Sequence, residues 1–285
     1  MTLALATDPS PPAARDATRT AALSMYDLPE LQAANDALWS AIAGRLTAAS
    51  LARVPRRLSR AHDPDVAWSD PDLLLSQTCG YPLVTRLGDK VRIVATPGYD
   101  VEGCDGPRHR SALIVREDSP AAGLADLRGH RCALNDHASN SGMNLLRDAI
   151  APLADGRRFF SDIVVTGSHE ASIEAVVRGE ADLAAIDCVT LHHLRQFRPE
   201  LTHPIRILGW TRSTPGLPLI TGAATTPAEL SALRAAFADA FVDQTVRPAL
   251  RTLRIKRFHV LPLAAYDQVR RLAQSAALRG YPELV

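Results

Sequence analysis

The chain is poor in cysteine, and the cysteines it has are scattered. Cys79, Cys104, Cys132 and Cys188 are the only four in 285 residues. None stands in a CxxC spacing, which argues against a zinc knuckle or a thioredoxin-type motif. Long apolar runs are absent as well: none approaches the ~20 residues of a membrane span, so no membrane insertion is expected. Nor does one sign of charge dominate, with Lys+Arg at 32 and Asp+Glu at 31. That balance leaves no electrostatic footprint for nucleic acid or for an anionic membrane surface. The chain has no His-Glu-x-x-His helix, no Gly-x-x-x-x-Gly-Lys-Ser/Thr loop and no Gly-x-Ser-x-Gly elbow, so neither a metal, a nucleotide nor a hydrolase nucleophile is signalled. No cofactor is expected.

Residues 1–20 lack a basic start, an apolar stretch and a small-residue cleavage site. They carry Asp8, Pro9, Pro11, Pro12 and Asp16 and read as a disordered leader. As written, the chain is expected in the cytoplasm. A periplasmic or extracytoplasmic protein would need a signal upstream of this start. In an exported protein Cys79 and Cys104, both in loops, are candidates for a disulfide, while Cys132 and Cys188 read as small buried side chains.

Hydrophobic residues make up 46% of the chain, enough for a sizeable core. Strands and helices alternate along it. The first strand is expected at Ala21–Met25. Pro29 then opens a helix whose apolar stripe is Leu31, Leu38, Ile42 and Leu46. Further strands are expected at Leu73–Leu75, Val91–Ala95, Ala112–Val115, Arg131–Leu134, Ile163–Val165, Leu183–Ile186, Ile205–Leu208 and Leu219–Thr221. Helices fall between them, and 228–243 and 264–279 close the chain. Such alternation implies an α/β fold of mainly parallel sheets with helices on both faces. Two Pro/Gly-rich stretches, 97–108 and 212–218, bracket a middle block. The division expected is one lobe from 21–110 and 215–285 and a second from 111–214. In folds of this kind ligands bind beyond the carboxyl ends of the strands, which here are 76–81, 135–142, 166–169 and 187–190.

The most informative of these ends is Asn135-Asp136-His137-Ala138-Ser139-Asn140-Ser141-Gly142. A helix with Met143, Leu146 and Ile150 on its apolar face follows. Its start offers unpaired N–H groups, the positive end of the helix dipole, two hydroxyls and an amide, together a site for an oxyanion. Ser and Asn are also ordinary N-caps, so capping stands beside ligand binding. Thr166-Gly167-Ser168-His169 ends the next strand, where His169 is either an anion donor or a cap neighbour. Asp187, an acceptor when ionised, either receives a ligand amine or hydroxyl or caps the next helix. His192-His193 reads as a surface pair.

Together, His109-Arg110-Ser111, Ser119-Pro120, Leu124-Ala125-Asp126-Leu127-Arg128-Gly129, Ser139-Asn140-Ser141-Gly142, Thr166-Gly167-Ser168-His169 and Gly179-Glu180-Ala181-Asp182 resemble the phosphonate-type family of ABC transporter substrate-binding proteins over roughly residues 72–222. The resemblance implies a two-lobed, type II periplasmic-binding-protein-like fold that closes about a hinge. It implies a grip on phosphonate or phosphate oxygens by Ser139, Asn140, Ser141 and His169, with Asp187 shaping the rest of the ligand site. Asn140 replaces the family's middle Thr, and His109 stands where the family usually has Tyr. Gln77, Thr78 and Tyr81 occupy the first-lobe loop, and Tyr26 and Asp27 are first-lobe candidates by position.

The reading that follows is a monomeric, non-enzymatic solute-binding protein for a small phosphonate- or phosphate-like oxyanion, partnered by an ABC transporter permease. Two alternatives remain: a cytoplasmic small-ligand sensor or accessory protein on the same fold, and an enzyme using His169 and Asp187 as an acid/base pair.

Overall fold

The computed structural model describes residues 18–61 and 63–285. The expected leader therefore lies outside the described residues up to position 17. In chain order the strands are β1 Thr20–Ala22, β2 Leu73–Gln77, β3 Val91–Tyr99, β4 Arg108–His109, β5 Ser111–Arg116 and β6 Arg131–Leu134. Then come β7 Asp162–Val165, β8 Leu183–Asp187, β9 Ile205–Trp210, β10 Thr214–Pro215, β11 Leu219–Gly222 and β12 Ile255–His259. They form two five-stranded sheets, β1-β2-β11-β3-β12 and β7-β6-β8-β5-β9, each flanked by helices, and a two-stranded ribbon β10-β4. The chain leaves the first sheet after β3, passes through β4 into the second, and returns through β10 to β11. The ribbon is thus the double crossover between two lobes, and both Pro/Gly-rich stretches run into it.

The sheets are mixed rather than mainly parallel. β1 pairs parallel with β2, and β6 parallel with β7 and β8. β11 runs antiparallel to β2 and β3, β12 to β3, and β5 to β8 and β9. A parallel neighbour needs a long return crossover, usually a helix. The strands that enter or leave through the ribbon have none, so they run against their neighbours. β1 is also shorter than expected: the chain leaves it after Ala22 and turns at Ser24–Tyr26.

The cores follow the sequence pattern. Leu31, which ends the tight turn Pro29–Leu31, and Leu38, Ile42 and Leu46 on the helix Gln32–Ala48 that follows are all buried beside Trp39, and pack on Leu74, Leu75, Val94 and Phe237. Burying each such side chain is worth about 1.5–3 kcal/mol. Trp39 also donates its Nε1–H to the Pro55 carbonyl at 3.1 Å, which ties down the polar stretch after the helix. β12 escapes a reading by hydrophobicity because Lys256 and Arg257 interrupt Ile255 and Phe258. It is an edge strand, where charge on the open side blocks further pairing.

The last residues cut across a first lobe of 215–285. On the helix Asp267–Leu278, Val269 packs with the first sheet, but Ala276 joins Tyr281 and Leu284 in the core of the second, against Phe159 and Phe160. The backbone N–H groups of Phe159 and Phe160 donate to the Val285 carbonyl at 2.9 and 3.1 Å, and the Val285 N–H donates to the Tyr281 hydroxyl at 3.0 Å. Tyr281→Ala is expected to cost about 3–5 kcal/mol in urea denaturation. Tyr281→Phe, which keeps the ring, is expected to cost about 1 kcal/mol.

Candidate functional site

A cleft of about 480 Å³ lies where strand ends of the two lobes face each other, within the size range of small-molecule sites. Ser24, Met25, Tyr26 and Asp27 line it from the end of β1, with Trp68 and Arg86 from the same lobe. Asn135, Ser139, Ser141, Ser168, His169 and Asp187 line it from the second lobe.

Ser139 is the N-cap of the helix that continues to Ala154, its Oγ accepting the Gly142 N–H at 2.9 Å. The first turn is wide: the Asn144 N–H donates back to the Ser139 carbonyl at 3.0 Å. The Ser141 hydroxyl lies 2.8 Å from His169 Nε2 and 3.5 Å from Ser139 Oγ. Gly142 permits this closeness. A Cβ there would sit 1.7 Å from Asn135 Oδ1 and 3.3 Å from the His169 ring. Four polar atoms among the lining side chains make no regular hydrogen bond: Ser24 Oγ, Asn135 Oδ1, His169 Nδ1 and His193 Nδ1. Burial pushes the His169 pKa down to about 4, against the opposing pull of Asp187. At neutral pH the imidazole is therefore uncharged and can serve as donor or acceptor. His193 is likewise lowered to about 4, by burial and then by His192. It is buried and faces the cleft, which corrects the surface reading of the pair: successive helical residues point different ways, and only His192 stays partly exposed.

Asp187 joins the cleft to the hinge. Its Oδ1 accepts from the Tyr26 hydroxyl at 3.0 Å and from the Val189 and Thr190 N–H groups at 2.9 and 3.1 Å. Its Oδ2 is 2.8 Å from His109 Nδ1 on the ribbon. Burial raises the carboxyl pKa, but His109, the nearby His169 and the Thr190 N–H outweigh it and hold the group below its usual range. Burial and then Asp187 push the Tyr26 phenol well up. The capping alternative for Asp187 is thus realised, and the carboxylate is taken by His109 rather than by His169, so the proposed acid/base pair makes no hydrogen-bonded dyad.

The structure brings Ser139, Ser141, His169, Asp187, Tyr26 and Asp27 to one cleft. Other candidates point elsewhere. Asn140 is fully buried: its amide donates to Thr214 Oγ1 at 3.1 Å and accepts from Asn144 at 3.0 Å, and its N–H meets Cys79 Sγ at 3.1 Å. It anchors the helix start to the ribbon and the first lobe. Gln77 donates to the Leu217 carbonyl at 3.1 Å and the Tyr99 hydroxyl at 3.3 Å. Thr78 is buried with its hydroxyl on its neighbour's carbonyl. Tyr81 lies under the Arg147 guanidinium, 5.9 Å from the ring centroid. His109 reaches the site only through Asp187. Cys79, held by the Asn140 N–H, is not the partner of Cys104, whose Sγ is 3.4 Å from Cys188 Sγ. Ser24 and Asn135 were missed as individual residues. Each follows a strand end, the same signal that marked Ser139 and His169. Trp68 and Arg86 carry no such signal.

Gly142→Ala is expected to destabilise the fold by about 1–3 kcal/mol through overpacking against Asn135, read as a lower denaturation midpoint. A second expectation concerns pH. His169 and His193 titrate near 4 in the native state against 6.5 in the ordinary range. Through that window the unfolded chain binds protons that the native state refuses. Stability therefore falls as pH drops from 6.5 to 4, by at most about 1.4 kcal/mol per unit for each histidine. His169→Gln should flatten the slope of Tm against pH in that window and leave it unchanged above pH 7.

Residues 60–266 match the family described as the ABC transporter, phosphonate, periplasmic substrate-binding protein. A binding protein component of an ABC phosphonate transporter from Pseudomonas aeruginosa superposes with a TM-score of 0.76 at 16% identity, covering 92% of this chain and 87% of that one. PhnD1 from Prochlorococcus marinus, solved with methylphosphonate, gives 0.72 at 14% identity over 92% and 98%. XAC2383 from Xanthomonas citri, solved with chloride, gives 0.69 at 19% identity over 92% and 98%. At these identities the structures show a shared two-lobed fold, while the family match spans most of the chain. The chain belongs to the phosphonate family of ABC transporter periplasmic substrate-binding proteins.

Proposed function

We propose that this chain captures a small phosphorus oxyanion between its lobes and presents the closed form to a transporter permease. The observation that carries this reading is the Ser139-capped helix start on the cleft wall, with Ser141 and His169 in contact there and Ser24 facing the same cleft with an unpartnered hydroxyl. Hydroxyls, an imidazole N–H and the positive helix end supply directed donors for phosphonate oxygens. Contacts from both lobes favour closure, because a ligand stabilises the state to which it binds best. The family is a transporter component rather than an enzyme family, and we read this chain as non-catalytic and extracytoplasmic.

The remaining lining bears on the far end of the ligand. Asp27, Asp63, Asp65, Asp136, Glu170 and Asp187 line the cleft against a single cation, Arg86. Arg86 itself is spent on Asp65 at 2.8 Å and Arg60 on Asp27 at 2.6 Å, while Arg198 pairs with Glu170 and, across the rim, with Glu30 at 2.9 Å, so Asp63 and Asp136 carry most of the acidic field. A second anionic group on the ligand would meet this field unfavourably. A neutral or ammonium-bearing tail would not.

A thermal-shift series tests both statements. Methylphosphonate or 2-aminoethylphosphonate at ~100 times its dissociation constant should add about 2.7 kcal/mol to stability, while phosphonoacetate should shift Tm less. Ser141→Ala should weaken binding by about 1.5–3 kcal/mol, the size of a hydrogen bond to a charged group. Unchanged affinity in a folded Ser141→Ala protein would reject the site. The absence of any shift with a phosphorus oxyanion would reject the ligand class.

A further inference from the structure

The sequence places Cys104 and Cys188 84 positions apart, yet the fold brings their sulfurs to 3.4 Å. Cys104 sits in the turn that leads from β3 into the ribbon, and Cys188 opens the helix Cys188–Phe197 directly after Asp187. The approach depends on Gly103. Its φ is +92°, and a Cβ there would come within 2.8 Å of both Cys188 Cβ and the Trp210 ring. A glycine with no side chain therefore lets the crossover turn press its neighbouring cysteine against the second lobe. The remaining thiols are occupied elsewhere: Cys79 receives the Asn140 N–H, and Cys132 is enclosed in the second core.

We infer that Cys104 and Cys188 are an oxidation site, closing as an intramolecular disulfide that staples the lobe crossover to the floor of the cleft. Of the four cysteines only Cys104 is not fully buried. It lines a surface recess of about 320 Å³ together with Glu102, His192, Arg254 and Lys256, where a small disulfide has access. The steps balance with an external disulfide as oxidant. The Cys104 thiolate attacks it, forming a mixed disulfide and releasing one thiol. Cys188 then gives up its proton to solvent and displaces the second thiol, leaving the Cys104–Cys188 bond. Cys104 is the more exposed of the two, so it is the initiating group and the buried Cys188 the resolving one. The family is periplasmic, and that compartment keeps disulfides oxidised. The bond would close a loop containing β5 to β8, most of the second sheet, and so restrict the unfolded chain.

The test starts from the fully reduced full-length protein. It is incubated with oxidised glutathione, denatured, alkylated and examined by intact mass and peptide mapping. Two alkylated thiols, Cys79 and Cys132, with a reducible link between the Cys104 and Cys188 peptides and a Tm raised by about 5 °C or more, is the expected result. Cys104→Ser should leave three alkylated thiols and no rise in Tm. Four alkylated thiols, a glutathione adduct that persists on Cys104, or a link to Cys79 or Cys132 would each overturn the inference.

Discussion

Asp187 carries a negative charge into the interior at the junction of both lobes and the ribbon, and its oxygens are fully engaged there. A buried carboxylate is tolerated only when opposite charge and hydrogen bonds replace the water it has lost. Here the partners come from three places: Tyr26 at the end of β1, His109 on the ribbon, and the first N–H groups of its own helix. Each demands that the others be in position. Together with Asn140 and the terminal segment, Asp187 therefore ties the two lobes at the base of the cleft.

This arrangement shapes the chemistry of the cleft. With Asp187 committed to structure, the groups proposed to meet the ligand are neutral: serine hydroxyls and an imidazole kept uncharged by its surroundings. Neutral directed donors cost less to desolvate than a free cation and discriminate by geometry. The same economy explains Asn140. Rather than facing the cleft, it ties the helix start to Thr214 and Cys79. The helix N-terminus is thereby fixed relative to hinge and first lobe, a placement on which backbone donors depend.

Much of this was legible in the chain. Runs such as Leu73–Gln77 and Leu183–Asp187, buried at every position, announce central strands, and the stripe Leu31, Leu38, Ile42, Leu46 announces its helix. Ser139 and His169 were visible because strand-end polar residues before an amphipathic helix have a fixed geometric meaning. Strand direction was not legible, since it depends on whether a helix or the ribbon makes the return. β12 was hidden by Lys256 and Arg257, because an edge strand does not carry an apolar signature.

The sequence by itself determined the α/β class, the positions of most elements, the two crossovers and the helix start that faces the cleft, because these depend on local periodicity, turn chemistry and N-cap preference. Tertiary structure alone decided the long-range pairings. Those are the partners of Asp187, the turning of Asn140 away from the cleft, the docking of Tyr281 on Phe159 and Phe160, the burial of His193, and the meeting of Cys104 with Cys188. Each depends on which distant surfaces the packed lobes bring within a few ångströms, and no local pattern encodes that distance.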